Sequence, residues 1–438
     1  MNLCDPRLLL ALLIIPGSVV LLFGTLWLSG ARLPERFITR VTGATYLSVN
    51  VIALLILTGF LTGESSVLSA KPGNWFTLES YGFPLSFRID KLSMPLVLLT
   101  TMLSGTVGAF SARYLHRDPG FFRFFLLLHL FTFGSILLFT ANSLDLLIAG
   151  WELVGITSVL LVGFFQYRRD PARNALRVFG TYRIADLGLL VAVFLSHHSF
   201  GASDWNGMIS GEWPHTVSRL DGPASIALAV LLIFAASGKS AQGPFCGWLA
   251  RAMEGPTPSS AIFYGAISIH AGAYLLLRVQ PLILSSSLAT SLVIFIGATT
   301  AALSTLVHRT CADAKTSLAY AAQTQVGLIF VEIGMGWTTL AMLHLCSHAL
   351  LRTLQFLRTP SMLRDHHRVH AAAGGERSPT GEHYESILPR PMQVWLYRVA
   401  LGRGFYDAVV DRYVIRPITW FARGLAALEP DRQKNRQP

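Results

Sequence analysis

Gly238-Lys239-Ser240-Ala241-Gln242-Gly243-Pro244-Phe245 is the stretch on which the reading of this chain turns. It closes an apolar run, 224–236, that is too short to cross a bilayer, since a spanning helix needs about 20 residues. Beyond it the chain turns apolar again at Trp248-Leu249-Ala250 and then meets Gly255-Pro256-Thr257-Pro258. Two apolar half-segments around a lysine, a glycine and a proline read as a helix broken inside a membrane. A lysine at membrane depth costs several kcal/mol, so it is expected to have a task and a carboxylate partner.

Composition supports a membrane setting. Of 438 residues, 52% are hydrophobic and only 13% charged, about half the charged share of a soluble protein. The first apolar run, 8–28, is long enough to span and carries no cleavage pattern, so it reads as a helix and not a signal. The four cysteines, Cys4, Cys246, Cys311 and Cys346, are scattered. That spacing argues against a thiolate metal site, an iron–sulfur cluster or a disulfide framework. The net charge of +11 sits mostly in short connections and the tail, as membrane topology demands, and does not point to nucleic acid.

Apolar runs recur near 8–29, 42–62, 93–112, 122–141, 144–165, 176–196, 224–250 (broken), 259–277, 284–306, 316–335 and 338–357, about eleven in all. In lipid these must be helices, because backbone groups have no water to bond. The expected fold class is therefore all-α, a polytopic membrane helix bundle. Arginines cluster in alternate connections: Arg32, Arg36 and Arg40, then Arg113, Arg117 and Arg123, then Arg168, Arg169, Arg173 and Arg177. The loops 64–91 and 197–223 balance their charges instead. Positive residues stay on the cytoplasmic side, which puts the N-terminus outside and the C-terminus in the cytoplasm of a multi-pass inner-membrane protein.

Five regions are expected: 1–84, N-terminal helices and a periplasmic loop; 85–357, a conducting core; 358–390, a polar cytoplasmic linker; 391–429, amphipathic surface helices; and 430–438, a disordered tail. The surface helices are read from Trp395, Val399, Phe405, Val409, Ile415 and Trp420 alternating with Arg398, Arg403, Arg412, Arg416 and Arg423.

Charged and titratable residues inside the spans are few. Glu152 lies in the middle of the fifth span. Arg183 and Asp186 lie in the sixth, on one face at i,i+3. Lys239 marks the break, His270 lies inside the eighth span and Lys315 opens the tenth. His344, His348 and Arg352 form an i, i+4, i+8 row on the eleventh. A carboxylate and a lysine near the midplane can exchange a proton, and histidines can pass one on near neutral pH. Proton or cation movement is the reading, with a purely structural ion pair competing for Arg183 and Asp186 and a satisfied interhelical polar residue for His270. Two histidines at i,i+4 could also hold zinc, but no third ligand accompanies them.

At these residues the chain resembles the antiporter-like membrane subunits of respiratory complex I and the Mrp Na+/H+ antiporters. The stretches are Gly150-Trp151-Glu152-Leu153-Val154-Gly155; Gly238-Lys239-Ser240-Ala241-Gln242 with Ala252-Met253-Glu254-Gly255-Pro256-Thr257-Pro258; Ala312-Asp313-Ala314-Lys315-Thr316-Ser317-Leu318-Ala319-Tyr320; and His344-Leu345-Cys346-Ser347-His348-Ala349. The resemblance implies inverted five-helix repeats and a proton-handling pair at Glu152 and Lys239. The chain departs from the family where Tyr264 replaces a histidine, where Arg352 replaces a lysine and is a poor proton carrier, and where it passes early into the amphipathic tail. Phe263-Tyr264-Gly265-Ala266, Arg173-Asn174-Ala175-Leu176-Arg177 and Gly402-Arg403-Gly404-Phe405-Tyr406-Asp407-Ala408 are similar to the membrane subunit of the DAB inorganic-carbon accumulation complex.

That resemblance implies a cation-conducting subunit coupling H+ or Na+ flow to CO2/bicarbonate uptake with a cytoplasmic DabA-like zinc partner resembling a β-carbonic anhydrase. The alternative is a proton-translocating subunit of an NADH-quinone oxidoreductase or a Na+/H+ antiporter complex, with the other subunits of that assembly as partners. A structural scaffold with vestigial charges is the reading from a different class. On either transport reading, catalytic, cofactor-binding and metal-ligating residues are expected to be absent from the chain itself.

Overall fold

The computed structural model describes residues 3–372 and 387–424, leaving out residues 32, 79, 80, 202, 411, 414, 415, 418, 419 and 422. Helices run where hydrophobic length predicted them: α1 Pro6–Leu28, α2 Glu35–Leu61, α3 Ser93–Tyr114, α4 Phe121–Thr140, α5 Leu144–Val162 and α6 Arg169–Phe200. After a single turn, α7 Trp205–Met208, comes α8 Gly222–Lys239, which stops at the lysine. The chain crosses the break through α9 Trp248–Arg251, a 3-10 turn Ala252–Glu254 and α10 Thr257–Ser259. It returns through a π-helical stretch, Ser260–Ala266, and α11 His270–Arg278, followed by α12 Gln280–Leu284, α13 Ser287–His308, α14 Ala314–Gly334 and α15 Thr338–Ala372. All eleven expected spans coincide with helical segments.

Among the described residues, nine of these are long and apolar enough to cross a membrane. The other two, α14 and α15, carry Lys315, Glu332, His344, His348 and Arg352, which lower their apolarity. The innermost span is Thr257–Arg278, with its whole apolar window buried; α1, α2 and α13, at 33%, form the rim. A helix buried all round is the one that others can address from every side, and the histidine cluster is built on it.

Local chemistry sets the ends. Ser143 caps α5 by accepting from Leu146 N at 3.2 Å. Asp313 caps α14, accepting from Thr316 N at 2.8 Å. Burial pushes the Asp313 carboxyl up, but its bonds to Thr316 and Lys315 and the Lys315 charge outweigh that and hold it below the usual carboxylate range. Gly201, at φ +66°, ends α6 in the left-handed conformation.

The balanced connections hold strand, where the sequence reading placed loops. β1 Val67–Leu78 and β2 Tyr81–Asp90 form an antiparallel hairpin, and β3 Ile209–Ser210 pairs with β4 Val217–Ser218. Bridges Phe87–Ala141 and Ser143–Asp204 tie these connections into one cap on the face opposite the arginine-rich connections. The strands add to the helical fold without changing its class; alternation in Leu68, Ala70, Phe87 and Ile89, all buried, was the missed signal.

The linker reading is corrected in part. α15 continues to Ala372 through Pro360; residues 358–372 contain no glycine, and Gly374-Gly375 follow the helix. Residues 373–386 and the expected disordered tail, 430–438, lie outside the described residues. The first amphipathic segment is a helix, Arg390–Leu401, that exposes Trp395 and Tyr397 and buries Ala400.

Candidate functional site

Lys239 ends α8 with 1% of its surface exposed. Its Nζ donates to the Trp151 carbonyl oxygen at 2.8 Å and lies 5.0 Å and 4.9 Å from the ring centroids of Trp151 and Tyr182. Two aromatic faces and a carbonyl give the ammonium a partly polar cage. Gly155 makes room for it: a Cβ there would stand 3.2 Å from Nζ. The backbone freed by the break is taken up by side chains from neighbouring helices. Trp248 Nε1 donates to Gly238 O at 2.9 Å, Ser240 Oγ to Ile269 O at 2.7 Å, and Gln323 Nε2 to Ala241 O and Cys246 O at 2.5 and 2.9 Å. Thr300 Oγ1 accepts from Gly243 N at 2.9 Å. Ala241 itself sits at φ +54°, a left-handed conformation that costs an alanine about 1 kcal/mol and that Gln323 pins.

The carboxylate partner is arranged differently from the expectation. Glu152 pairs with Arg183, not with Lys239. Arg183 NH2 also lies 2.7 Å from Asp186 Oδ2, and Asp186 Oδ1 accepts from Trp151 Nε1 at 2.6 Å. Successive helical residues point about 100° apart. Trp151 therefore faces the bundle interior and presents its carbonyl to Lys239, while Glu152 turns to α6. Asp186, 4% exposed, is the more buried carboxylate, and the fields of both Asp186 and Glu152 reach Lys239. The order is Glu152, Arg183, Asp186, Trp151, Lys239, so Arg183 and Asp186 belong to the lysine's surroundings.

The histidines form a second group around the innermost span. His270 Nδ1 faces Ala266 O, and its Nε2 lies 2.9 Å from His348 Nδ1; Arg352 Nε is 3.4 Å from His348 Nε2. The end groups fix the direction. Arginine donates to His348 Nε2, so His348 donates from Nδ1 to His270 Nε2, and His270 donates from Nδ1 to the carbonyl. His270 is thus the inner link of a hydrogen-bonded line, and the interhelical reading for it describes only half of what it does. Arg352 begins the line as a fixed donor. His344 stands outside it: its Nδ1 lies 2.8 Å from Glu332 Oε1 and its Nε2 2.9 Å from Gln325 Oε1.

The two groups meet through hydroxyls. Ser240, next to Lys239, binds the carbonyl of Ile269, next to His270. Ser158 Oγ and Ser268 Oγ are 3.4 Å apart, and Tyr264 OH donates to Ser158 O at 3.4 Å. Tyr264, where the resemblance led one to expect a histidine, keeps a donor in this seam. Lys315 is not part of it. Its Nζ donates to Met253 O and Gly255 O at 2.7 and 2.8 Å, at the arginine-rich end of α14, and among the described residues no bond links it to Lys239 or the histidines. It fastens α14 to the returning chain.

Sequence reasoning missed Trp151 and Tyr182 as the walls of the lysine cage and Gln323 as the clamp on the break. Trp151 stands beside Glu152 in the quoted motif, which was the available signal.

The broken helix with its caged lysine, the carboxylate–arginine network and the buried histidine line all sit within a polytopic membrane helix bundle. The family model described as NADH:quinone oxidoreductase/Mrp antiporter, TM, matches residues 141–374, just over half of the chain, and the model for the NADH-Ubiquinone oxidoreductase (complex I), chain 5 N-terminus, matches 75–125. The chain belongs to this antiporter-like family of membrane subunits. NADH-ubiquinone oxidoreductase chain 5 of Pseudosoriculus fumidus is 32% identical over 365 residues, 83% of this chain and 58% of that protein. The chain 5 of Sus scrofa is 34% identical over 326 residues, 74% of this chain and 51% of that protein. The chain thus spans about half the length of the curated relatives it matches. Among solved structures, the Mrp complex from Dietzia sp. DQ12-45-1b superposes with a TM-score of 0.69 at 26% identity, over 80% of this chain and 37% of that one. An archaeal membrane-bound sulfane sulfur reductase shares the fold, with a TM-score of 0.68 at 18% identity, over 81% of this chain and 70% of that one.

Proposed function

We propose that this chain is the proton-conducting membrane subunit of a multi-subunit assembly of the complex I or Mrp type, and that Lys239 is the group whose charge moves. The observation that carries this is the lysine at the helix break, buried to 1% and bound to a carbonyl and two ring faces instead of directly to a carboxylate. A structural charge would be expected to sit against its counter-ion. A caged ammonium that shares the fields of Asp186 and Glu152 can release its proton when either carboxylate changes state. The hydroxyl seam and the line from His270 to Arg352 offer the onward route, with His344 and Glu332 beside it. The positive-inside rule orients the subunit with its N-terminus outside and its C-terminus in the cytoplasm.

The second reading is the membrane half of a DAB-type carbon-uptake complex with a cytoplasmic zinc-containing partner. One observation favours it: the tail segment that carries that resemblance is tied to the helix break. The Tyr406 ring packs against Gly247, where a Cβ would meet it at 2.4 Å, and Gly404 packs against Leu303.

Affinity purification of the tagged chain from its native membrane, followed by mass spectrometry, separates the two. Redox or antiporter subunits in the eluate support the first reading. A zinc protein as the sole stoichiometric partner replaces it with the second.

A further inference from the structure

On the face opposite the arginine-rich connections, the hairpin cap encloses a cavity of about 240 Å³ between β2, α7, the β3–β4 hairpin and the end of α11. Arg88, Arg219 and Arg278 line it, with Trp205, Trp213 and a single carboxylate, Asp90. This cluster lies apart from the Lys239 and histidine groups.

Asp90 does not neutralise the three arginines, because its acceptor capacity is already used. Oδ1 accepts from Leu92 N at 3.2 Å, Ser93 N at 3.1 Å, Ser93 Oγ at 3.2 Å and Arg278 NH2 at 3.0 Å; Oδ2 accepts from Arg278 NH1 at 2.5 Å and lies 3.2 Å from Arg88 Nε. A carboxylate offers about four lone-pair sites, so nothing remains for other donors. Donors nevertheless remain. Arg278, 7% exposed, has a buried Nε with no hydrogen-bond partner among the described residues, and the buried Nε1 of Trp213 has none either. The Arg219 side chain has no partner among the described residues. Arg88 spends one nitrogen on Asn206 Oδ1 at 2.8 Å.

A preformed cavity with surplus guanidinium and indole N–H groups and a saturated carboxylate wants an acceptor-only ligand. We propose that it binds an oxyanion of the phosphate type, held by the Arg219 guanidinium, the Trp213 indole and the free edges of Arg88 and Arg278. Arginine forks suit a phosphate oxygen pair. The volume is several times the roughly 30 Å³ that one water occupies in the liquid, so a phosphate fits together with the group it is esterified to. The same chemistry comes from two sources, a phospholipid headgroup in the outer leaflet or dissolved phosphate.

The test uses the full chain purified with its partners. Calorimetric titration with inorganic phosphate is one arm. Native mass spectrometry from nanodiscs of phosphatidylglycerol against phosphatidylcholine is the other. Arg219→Gln and Trp213→Phe are compared with the wild type in both, with melting curves confirming the fold. The expected result is saturable binding in at least one arm, weakened about tenfold by Arg219→Gln and weakened by added salt. Binding of inorganic phosphate assigns the dissolved ion, and retention of phosphatidylglycerol alone assigns the headgroup. Absence of binding in both arms, or equal binding by wild type and both variants, overturns the proposal.

Discussion

Replacing Asp186 by asparagine separates the network seen here from a simple Glu152–Lys239 pair. Asp186 is 4% exposed and accepts from Trp151 Nε1 at 2.6 Å and from Arg183 NH2 at 2.7 Å. Hydrogen bonds to a charged group contribute about 1.5–3 kcal/mol each. Asparagine keeps one acceptor oxygen, so one bond survives at neutral strength and the other is lost. The substitution also leaves Arg183 and Lys239 facing a single carboxylate. The expected loss of stability is about 2–4 kcal/mol. Glu152→Gln neutralises a partner whose side chain is 32% exposed, against an arginine 39% exposed. Arg183 keeps its bond to Asp186 in that variant, and glutamine keeps one acceptor oxygen, so a charged hydrogen bond falls to neutral strength at a cost of about 1 kcal/mol. The assay is unfolding in mixed micelles with a rising fraction of denaturing detergent, alongside proton flux in reconstituted vesicles. Asp186→Asn is expected to lose more of both than Glu152→Gln. Equal effects, or a larger effect of Glu152→Gln, would refute the arrangement.

Three further outcomes are expected. Asp90→Asn strands the buried Arg278 and costs about 3–5 kcal/mol, read as a lowered melting temperature. Burial raises the Asp90 carboxyl, but Arg278 and Arg88 hold it well below its usual range. A depressed carboxyl stabilises above its unfolded pKa and loses that contribution as pH falls toward the folded one. The wild-type melting temperature should therefore drop below about pH 4, and Asp90→Asn should lack that acid-sensitive step. His270→Phe leaves the His348 Nδ1–H unpaired at a cost of about 1–3 kcal/mol and cuts the histidine line, so flux should fall while Lys239 stays caged. Gly247→Val drives a side chain into the Tyr406 ring, which a Cβ alone would already meet at 2.4 Å. Limited proteolysis should then cleave the tail faster than in the wild type.

Much of the fold was legible because a membrane leaves the backbone only a few solutions, and the apolar lengths marked every long helix. The lysine at the break was legible for the same reason: a charge among apolar residues stands out. Contacts were not. The pairing of Glu152 with Arg183, and of Trp151 with Lys239, depends on how α5 is rotated, which neighbouring positions in one motif cannot reveal. His270 and His348 meet across 78 residues and Asp90 and Arg278 across 188, separations that carry no periodic signal. Lys315 looked like a pathway residue because it opens an apolar run, yet the carbonyls it binds belong to a turn whose approach no local pattern foretells. The hairpin at 67–90 was hidden by its charge balance, which reads as loop.

The central claim is that charge moves through Lys239, and proton uptake by proteoliposomes under an imposed potassium-diffusion potential tests it most directly. The chain is reconstituted with its co-purifying subunits and followed with an internal pH dye. Lys239→Met removes the buried cation but keeps an apolar chain of similar length, and it leaves Asp186 and Glu152 sharing Arg183 alone, so melting curves first confirm that the variant is folded. The account predicts uptake by the wild type and only lipid background for Lys239→Met in that intact protein. Uptake by Lys239→Met at the wild-type rate would contradict it.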